Sequence, residues 1–219
     1  MTIAIQEELP GTKEPARSVS FSQKRILRWI MDLWAPDGFE LDPTYARGAM
    51  YRGGDIPQPR WKFDLAPSIP GVEKADVRSL PLESGIVAST MFDPPFLHHA
   101  GEGSRMGALY ASYFNQRELH AMYADALREL WRVAAPAGIL AFKCQALIEA
   151  GKFVATDCAV LGMAVKVGWV DVDRFTLVSK NRIKGHNHDR QVHSRRYDST
   201  FWVFQRPRGR VRSFMAGAP

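Results

Sequence analysis

Four short segments in the first half of the chain each end on an aspartate: Gly38-Phe39-Glu40-Leu41-Asp42, Trp61-Lys62-Phe63-Asp64, Glu73-Lys74-Ala75-Asp76, and Gly85 to Phe92 closing on Asp93. Runs of this length, bounded by turn-forming residues, are strand-like, and strands interleaved with helices build an open α/β sheet. Ligands of such sheets bind beyond the carboxyl ends of the strands, so four acids at those ends are expected to line one crevice.

The rest of the pattern agrees. Ser22 precedes Gln23 to Trp34, where Ile26, Ile30 and Leu33 recur at helical spacing and predict a helix. A long helix is expected from Asn115 or Gln116, with Leu119, Met122, Tyr123, Ala126, Leu130 and Val133 as its apolar stripe. Pro136-Ala137-Gly138 should break it before a buried strand, Ile139 to Cys144. A further helix is predicted from about Lys152 to Val167, with Phe153, Val160, Leu161, Ala164 and Val167 inward and Gly168 ending it. Strands follow at Asp173 to Ser179 and Thr200 to Gln205, separated by a polar, basic segment. The expected architecture is a three-layer α/β domain with a mostly parallel sheet closing on a β-β pair. Residues 1–20 are expected to be a loose arm, 21–206 the domain and 207–219 a basic tail.

Composition excludes several classes. Apolar runs stop far short of the ~18 residues of a membrane span, Ile139 to Phe142 ending at Lys143. The N-terminus turns acidic at Glu7-Glu8, unlike a secretory leader, and the two cysteines, Cys144 and Cys158, read as buried thiols rather than a disulfide framework. A cytoplasmic domain without membrane contact is expected, and oligomeric state is open. Charge is uneven: Lys180 to Arg212 holds ten basic residues against Asp189 and Asp198, a net +8 in a chain whose total is +6. A patch so concentrated suits a polyanionic partner, or else a solvated basic tail. His186, His188 and His193 have no nearby cysteine or carboxylate cluster to complete a metal site, so no metal is expected.

The most specific local signal is Asp93-Pro94-Pro95-Phe96 after the apolar run Ile86 to Phe92. Two prolines fix the turn and donate no N–H. The Asp93 carboxylate and the Pro94 carbonyl can then accept from one amino group while the Phe96 ring offers a stacking face. An exocyclic amine on a planar base is a poor nucleophile because its lone pair is conjugated into the ring. Accepting its N–H protons raises electron density on nitrogen as it attacks an electrophilic carbon, and the stacked ring would hold a base drawn out of its helix. The segment Gly101 to Gly107 after His98-His99 lacks the lysine of a phosphate-cradling loop and reads as a lid, with Tyr110, Tyr113 and Phe114 packing behind it.

At this point the chain, over roughly Gly38 to Arg206, resembles the class I S-adenosylmethionine-dependent methyltransferases of the DNA N6-adenine/N4-cytosine amino type, which carry (D/N/S)-P-P-(Y/F/W) at the end of the fourth strand. It is similar to the small phage-like versions, in which Leu41-Asp42-Pro43-Thr44-Tyr45 replaces the glycine-rich first turn; Gln191-Val192-His193-Ser194-Arg195-Arg196 resembles a segment of some DNA amino-methyltransferases. The resemblance implies a Rossmann-like methyltransferase sheet with a C-terminal antiparallel hairpin strand, and S-adenosylmethionine as cofactor. It assigns Asp42, Pro43, Thr44, Tyr45 and Gly48 to the first cofactor turn, Asp64 to the ribose hydroxyls, Asp76 to the adenine amino group, and Val77 and Arg78 to the flanks of that ring. Asp93, Pro94, Pro95 and Phe96 become the methyl-transfer site, and Lys184, Arg190, His193, Arg195 and Arg196 the nucleic-acid contacts. The expected partner is DNA, at adenine N6. Alternatives are RNA, at adenine N6 or guanine N2, and an inactive nucleic-acid-binding module of the same fold. One departure stands out: the first turn has a proline and one glycine where the family carries F-x-G-x-G.

Overall fold

The computed structural model describes residues 15–96, 115–149, 151–179 and 192–209. Its main sheet is built from β1 (Val19–Ser20), β2 (Leu41–Asp42), β3 (Trp61–Asp64), β4 (Glu73–Lys74), β5 (Val87–Phe92), β6 (Ala134–Cys144), β9 (Val170–Val178) and β10 (Asp198–Gln205), in the order β1-β9-β10-β6-β5-β2-β3-β4. Every neighbouring pair is parallel except those made by β10, which runs against both β6 and β9. A separate hairpin joins β7 (Leu147–Glu149) to β8 (Lys152–Val154). The helices are α1 (Gln23–Trp34), α2 (Gln116–Val133) and α3 (Thr156–Val167).

Period-two alternation along the central strands makes the layers. On β6, Leu140, Phe142 and Cys144 face α2 and α3, packing with Tyr123, Leu127 and Val160, while Ile139 and Ala141 face the opposite cluster with Ile26, Ile30, Met91 and Phe201 under α1. By the same alternation Lys143 falls on the α1 face. The sheet is therefore sandwiched between α1 and the α2–α3 pair, the expected three-layer arrangement. Asn115 caps α2 by accepting from Glu118 N–H at 3.0 Å, and Gly168 caps α3 in the left-handed region at φ 114°.

Several expectations are corrected. Val19–Ser20, within the segment read as a loose arm, pairs in parallel with Thr176–Leu177 of β9. Leu33 of α1 lies outside the core, which is reached by Ile26, Leu27, Trp29 and Ile30 instead. The Pro136-Ala137-Gly138 break falls inside β6 rather than before it. Pairing with β5 jumps from Val87↔Ala134 to Ser89↔Ile139, a bulge in which Gly138 lies so close to the backbone carbonyls of Val87 and Ala135 that a Cβ would sit 2.9 and 2.8 Å from them. The helix expected from Lys152 starts at Thr156, because Lys152–Val154 folds back on Leu147–Glu149 around Gly151; Phe153, read as inward, is exposed. Cys144 is buried but Cys158 is exposed. No described helix is long and apolar enough to cross a membrane.

Candidate functional site

The chain lays down β2, then β3 and β4 on one side of it, then returns to place β5 on the other. The carboxyl ends of β2 and β5 thus flank the point where strand order reverses, where open α/β sheets bind ligands. An open cleft lies there, lined by Pro43, Thr44 and Ala46 after β2, Asp64 to Ala66 after β3, Ala75 to Val77 after β4, Phe92 to Pro95 at the end of β5, and Met122 of α2. Three of the four strand-end acids face it. The fourth does not.

Asp42 is only 1% exposed and points inward, accepting from the Tyr51 hydroxyl at 2.7 Å, the Thr44 N–H at 2.9 Å and the Thr44 hydroxyl at 3.3 Å. Burial pushes its carboxyl up to about 7, partly opposed by the Tyr51 and Thr44 hydrogen bonds. It organises the first turn from beneath. Tyr45 and Gly48 are likewise turned away from the cleft lining. The Tyr45 ring stacks on Tyr51 at 5.3 Å and its hydroxyl donates to Gln58 at 2.5 Å. A Cβ on Gly48, whose φ is 61°, would collide with the Tyr45 hydroxyl, so this glycine serves turn packing. The residue that brings backbone close to the cleft is Ala46, at φ 50°, whose N–H donates to Asp64 Oδ2 at 3.0 Å. A left-handed alanine thus serves in a turn whose sequence holds a proline and one glycine.

Asp64 is fixed by that bond and by Ala66 N–H on Oδ1 at 2.8 Å, so its carboxylate enters the cleft in one orientation. Asp76 is held differently. Arg78 donates to it through its backbone N–H and through Nε and Nη2, at 2.5 to 3.0 Å, and these bonds hold the Asp76 carboxyl below the usual range. Arg78 therefore spends its guanidinium on Asp76, and Asp76 keeps little capacity for a further donor. Val77 is the apolar wall of this part of the cleft.

At the end of β5, Asp93 N–H donates to the Thr44 hydroxyl oxygen at 3.0 Å, tying this turn to the first one. The Tyr123 hydroxyl of α2 donates to the Pro95 carbonyl at 2.8 Å and pins the turn from the other side. Asp93 Oδ2 accepts from Lys143 Nζ at 3.1 Å, whereas Oδ1 is buried with no hydrogen-bond partner among the described residues. Burial raises the Asp93 carboxyl and the Lys143 ammonium opposes it. Lys143 Nζ also lies 5.9 Å from the centre of the Phe96 ring and 5.8 Å from that of Phe201. Lys143 was not foreseen. Its signal was available: it is the charge that interrupts an otherwise apolar strand.

Of the expected nucleic-acid contacts, Lys184 and Arg190 lie outside the described residues, as do the lid segment, Tyr110, Tyr113, Phe114, His186 and His188. Arg195 is exposed. Arg196 lies 5.2 Å from the Phe153 ring centre and donates to the Ser194 hydroxyl, and a ring nitrogen of His193 is 2.6 Å from the Gly151 carbonyl oxygen. Arg206, counted in the basic segment, is an internal brace, donating to the carbonyls of Trp131 and Ala134. No group of three or more potential metal ligands occurs among the described residues.

No family model matches the chain, and no curated protein matches it. Solved structures do. TrmN from Thermus thermophilus superposes with a TM-score of 0.51 at 14% identity, over 85% of this chain and 50% of that one. The PvuII DNA methyltransferase (cytosine-N4-specific) gives 0.48 at 16% identity, over 61% and 48%. The N-methyltransferase NodS from Bradyrhizobium japonicum gives 0.48 at 14%, over 82% and 93%. The chain thus spans about half the length of the first two. At such identities the likeness speaks to architecture, and with the strand order above it shows that the chain has the Rossmann-like methyltransferase fold.

Proposed function

We propose that this chain transfers a methyl group from S-adenosylmethionine to an exocyclic amino group of a nucleic-acid base, with adenine N6 in DNA as its target. One observation carries the reading. Asp93 Oδ1 is a buried acceptor without a partner among the described residues, at the rim of a cleft whose far side presents Asp64. Leaving such an atom unpaired costs on the order of 1–3 kcal/mol, a cost removed when a donor arrives.

The cleft residues fit the cofactor. Asp64 is a pre-oriented acceptor for paired ribose hydroxyls, Val77 an apolar wall for the adenine ring, and Pro43, Thr44 and Ala46 let backbone approach. When bound, the cofactor supplies an electrophilic methyl carbon on a sulfonium. The protein's own part is to prepare the amine. Oδ1 of Asp93 accepts one amino N–H, which concentrates electron density on nitrogen, and takes up the proton that nitrogen sheds on becoming tetravalent. Phe96 stacks against the base, and the fixed φ angles of Pro94 and Pro95 keep carboxylate and ring in register. The choice of DNA and adenine draws on the concentrated positive charge near the C-terminus and on the Asp at the first position of the motif, which leans to adenine in the family the chain resembles.

The test is methyl transfer to DNA and RNA pools followed by nucleoside mass spectrometry. N6-methyladenine in DNA is expected; methylated RNA alone would reassign the substrate. Asp93→Ala should lower transfer by roughly 10²–10³ while cofactor affinity stays within about threefold, and Asp64→Ala should weaken cofactor binding with turnover at saturation largely kept. An Asp93→Ala enzyme with more than about a tenth of the activity would sink the assignment.

A further inference from the structure

Lys143 sits where a lysine is costly. It lies on the α1 face of the central strand β6, is 9% exposed, and neighbours Ile139 and Ala141 in an otherwise apolar row. A buried ammonium needs a partner, and the one it has is Asp93. The contact is one-sided: Nζ engages Oδ2 at 3.1 Å and leaves Oδ1 without a described partner. The same ammonium lies 5.9 Å from the centre of the Phe96 ring and 5.8 Å from that of Phe201 on β10. One cation therefore touches both groups to which the proposed reaction assigns the amine, the acceptor and the stacking ring.

We propose that Lys143 is a positioning residue for methyl transfer: it commits Oδ2 of Asp93 and so presents Oδ1 as an acceptor to the substrate amine. This rests on the reading of Asp93 given above. The chemistry requires an anion. A protonated carboxyl would offer an O–H to the amine and compete with the very N–H it should accept. Burial drives Asp93 toward that neutral form, and among the described residues Lys143 is the group that opposes burial. Among the described residues the other titratable neighbours are Asp42 beneath the first turn with its partner Tyr51, and Cys144 next along β6. Asp42, when ionised, works in the opposite sense by like-charge repulsion. From α2 the contributions are Met122 in the cleft wall and the Tyr123 hydroxyl, which is spent on Pro95.

The experiment compares wild type, Lys143→Met and Lys143→Arg as full-length chains, with calorimetric melting to establish folding. Two readouts are used: the pH dependence of saturated methyl transfer from pH 6 to pH 9, and the pH titration of the Asp93 carboxyl carbon by NMR in the absence of substrate. Met keeps the alkyl stem and removes the charge. The expected results for Lys143→Met are an Asp93 midpoint shifted upward, transfer reduced at least tenfold at neutral pH and recovering as pH rises, and cofactor affinity unchanged. Arg is expected to restore an ionised Asp93 and most of the neutral-pH rate. A residue that merely filled space would lower the melting temperature without altering the shape of the pH profile. An unmoved Asp93 midpoint in Lys143→Met, or a pH profile parallel to wild type, overturns the inference and leaves the methyl-transfer reading intact. Active Asp93→Ala overturns the methyl-transfer reading, and the carboxyl titration still reports whether the two groups are coupled. If Lys143→Met does not fold, Lys143→Arg decides: transfer lost with Asp93 still ionised at neutral pH also overturns it.

Discussion

Asp42 makes stability depend on pH in an unusual sense for an acid. Its carboxyl is raised from 3.8 to about 7 by burial, so between those values the folded chain holds a proton that the unfolded chain has released. Stability is therefore greatest below about pH 4 as far as this group is concerned, falls as pH rises through about 7, and is flat above. The full span is up to about 4 kcal/mol, because each tenfold gain in proton affinity on folding is worth about 1.4 kcal/mol. Asp42→Asn keeps the shape, removes the titration, and should flatten the slope between pH 4.5 and 7.5. Urea melts of both proteins across that window check it, and parallel slopes would exclude the assignment. The residue scale also shows what the sequence could reveal. That Asp42, Asp64, Asp76 and Asp93 close their segments follows from local pattern alone. Which way each carboxyl points does not, because Asp42 turns inward to meet Tyr51, and Arg78 closes on Asp76, through contacts that strand periodicity does not encode. Lys143 was legible as an anomaly, but its meaning needed a partner fifty positions away.

Among the elements, α2 does two jobs. Its stripe of Leu119, Met122, Tyr123, Ala126, Leu127, Leu130 and Val133 fills one side of the core, and the tip of Tyr123 reaches past that core to hold the Pro95 carbonyl. Tyr123→Phe retains the ring and its edge-on contact with Phe142 but frees the turn. The loss of one hydrogen bond should cost about 0.5–1.5 kcal/mol and lower Tm by roughly 1–6 °C. Transfer rate should fall more than cofactor affinity, since the bond constrains the turn proposed to carry methyl transfer and not Asp64. Unchanged kcat with a lowered Tm would confine Tyr123 to the core. The stripe of α2 was readable because one face is apolar and the other charged. α3 was misjudged at its start because Val154 and Phe153 extend an apolar pattern across a β-hairpin, and periodicity cannot separate a short strand from the first turn of an apolar helix.

For the whole molecule, charge and fold are separate designs. All of the excess positive charge belongs to 180–212, yet Arg206 there is spent on the Trp131 and Ala134 carbonyls, so formal charge overstates what a phosphate backbone would meet. Arg195 and Arg196 are the better tests. Replacing both by alanine should weaken binding to DNA of any sequence and reduce the slope of log affinity against log salt by up to about 0.9 for each duplex phosphate no longer neutralised. Cofactor affinity should hold. An unchanged salt slope with a lower melting temperature would make the segment a brace, as Arg206 already is.

The single reversed strand has a consequence for how such a chain can change. Because β10 runs against its neighbours, Asp198 stands opposite Val178, and Thr200 opposite Cys144, at the same rim as Asp93. The chain leaves the sheet and re-enters it at this rim, between two adjacent strands whose pairing anchors both ends. Lengthening the span between such anchors adds closure entropy only logarithmically, about 0.6 kcal/mol per doubling. The stretch between Val178 and Asp198 can therefore change in length with the sheet and the packing beneath Asp93 inherited unchanged. The fold is a fixed frame with a replaceable insertion point at the rim that carries Asp93.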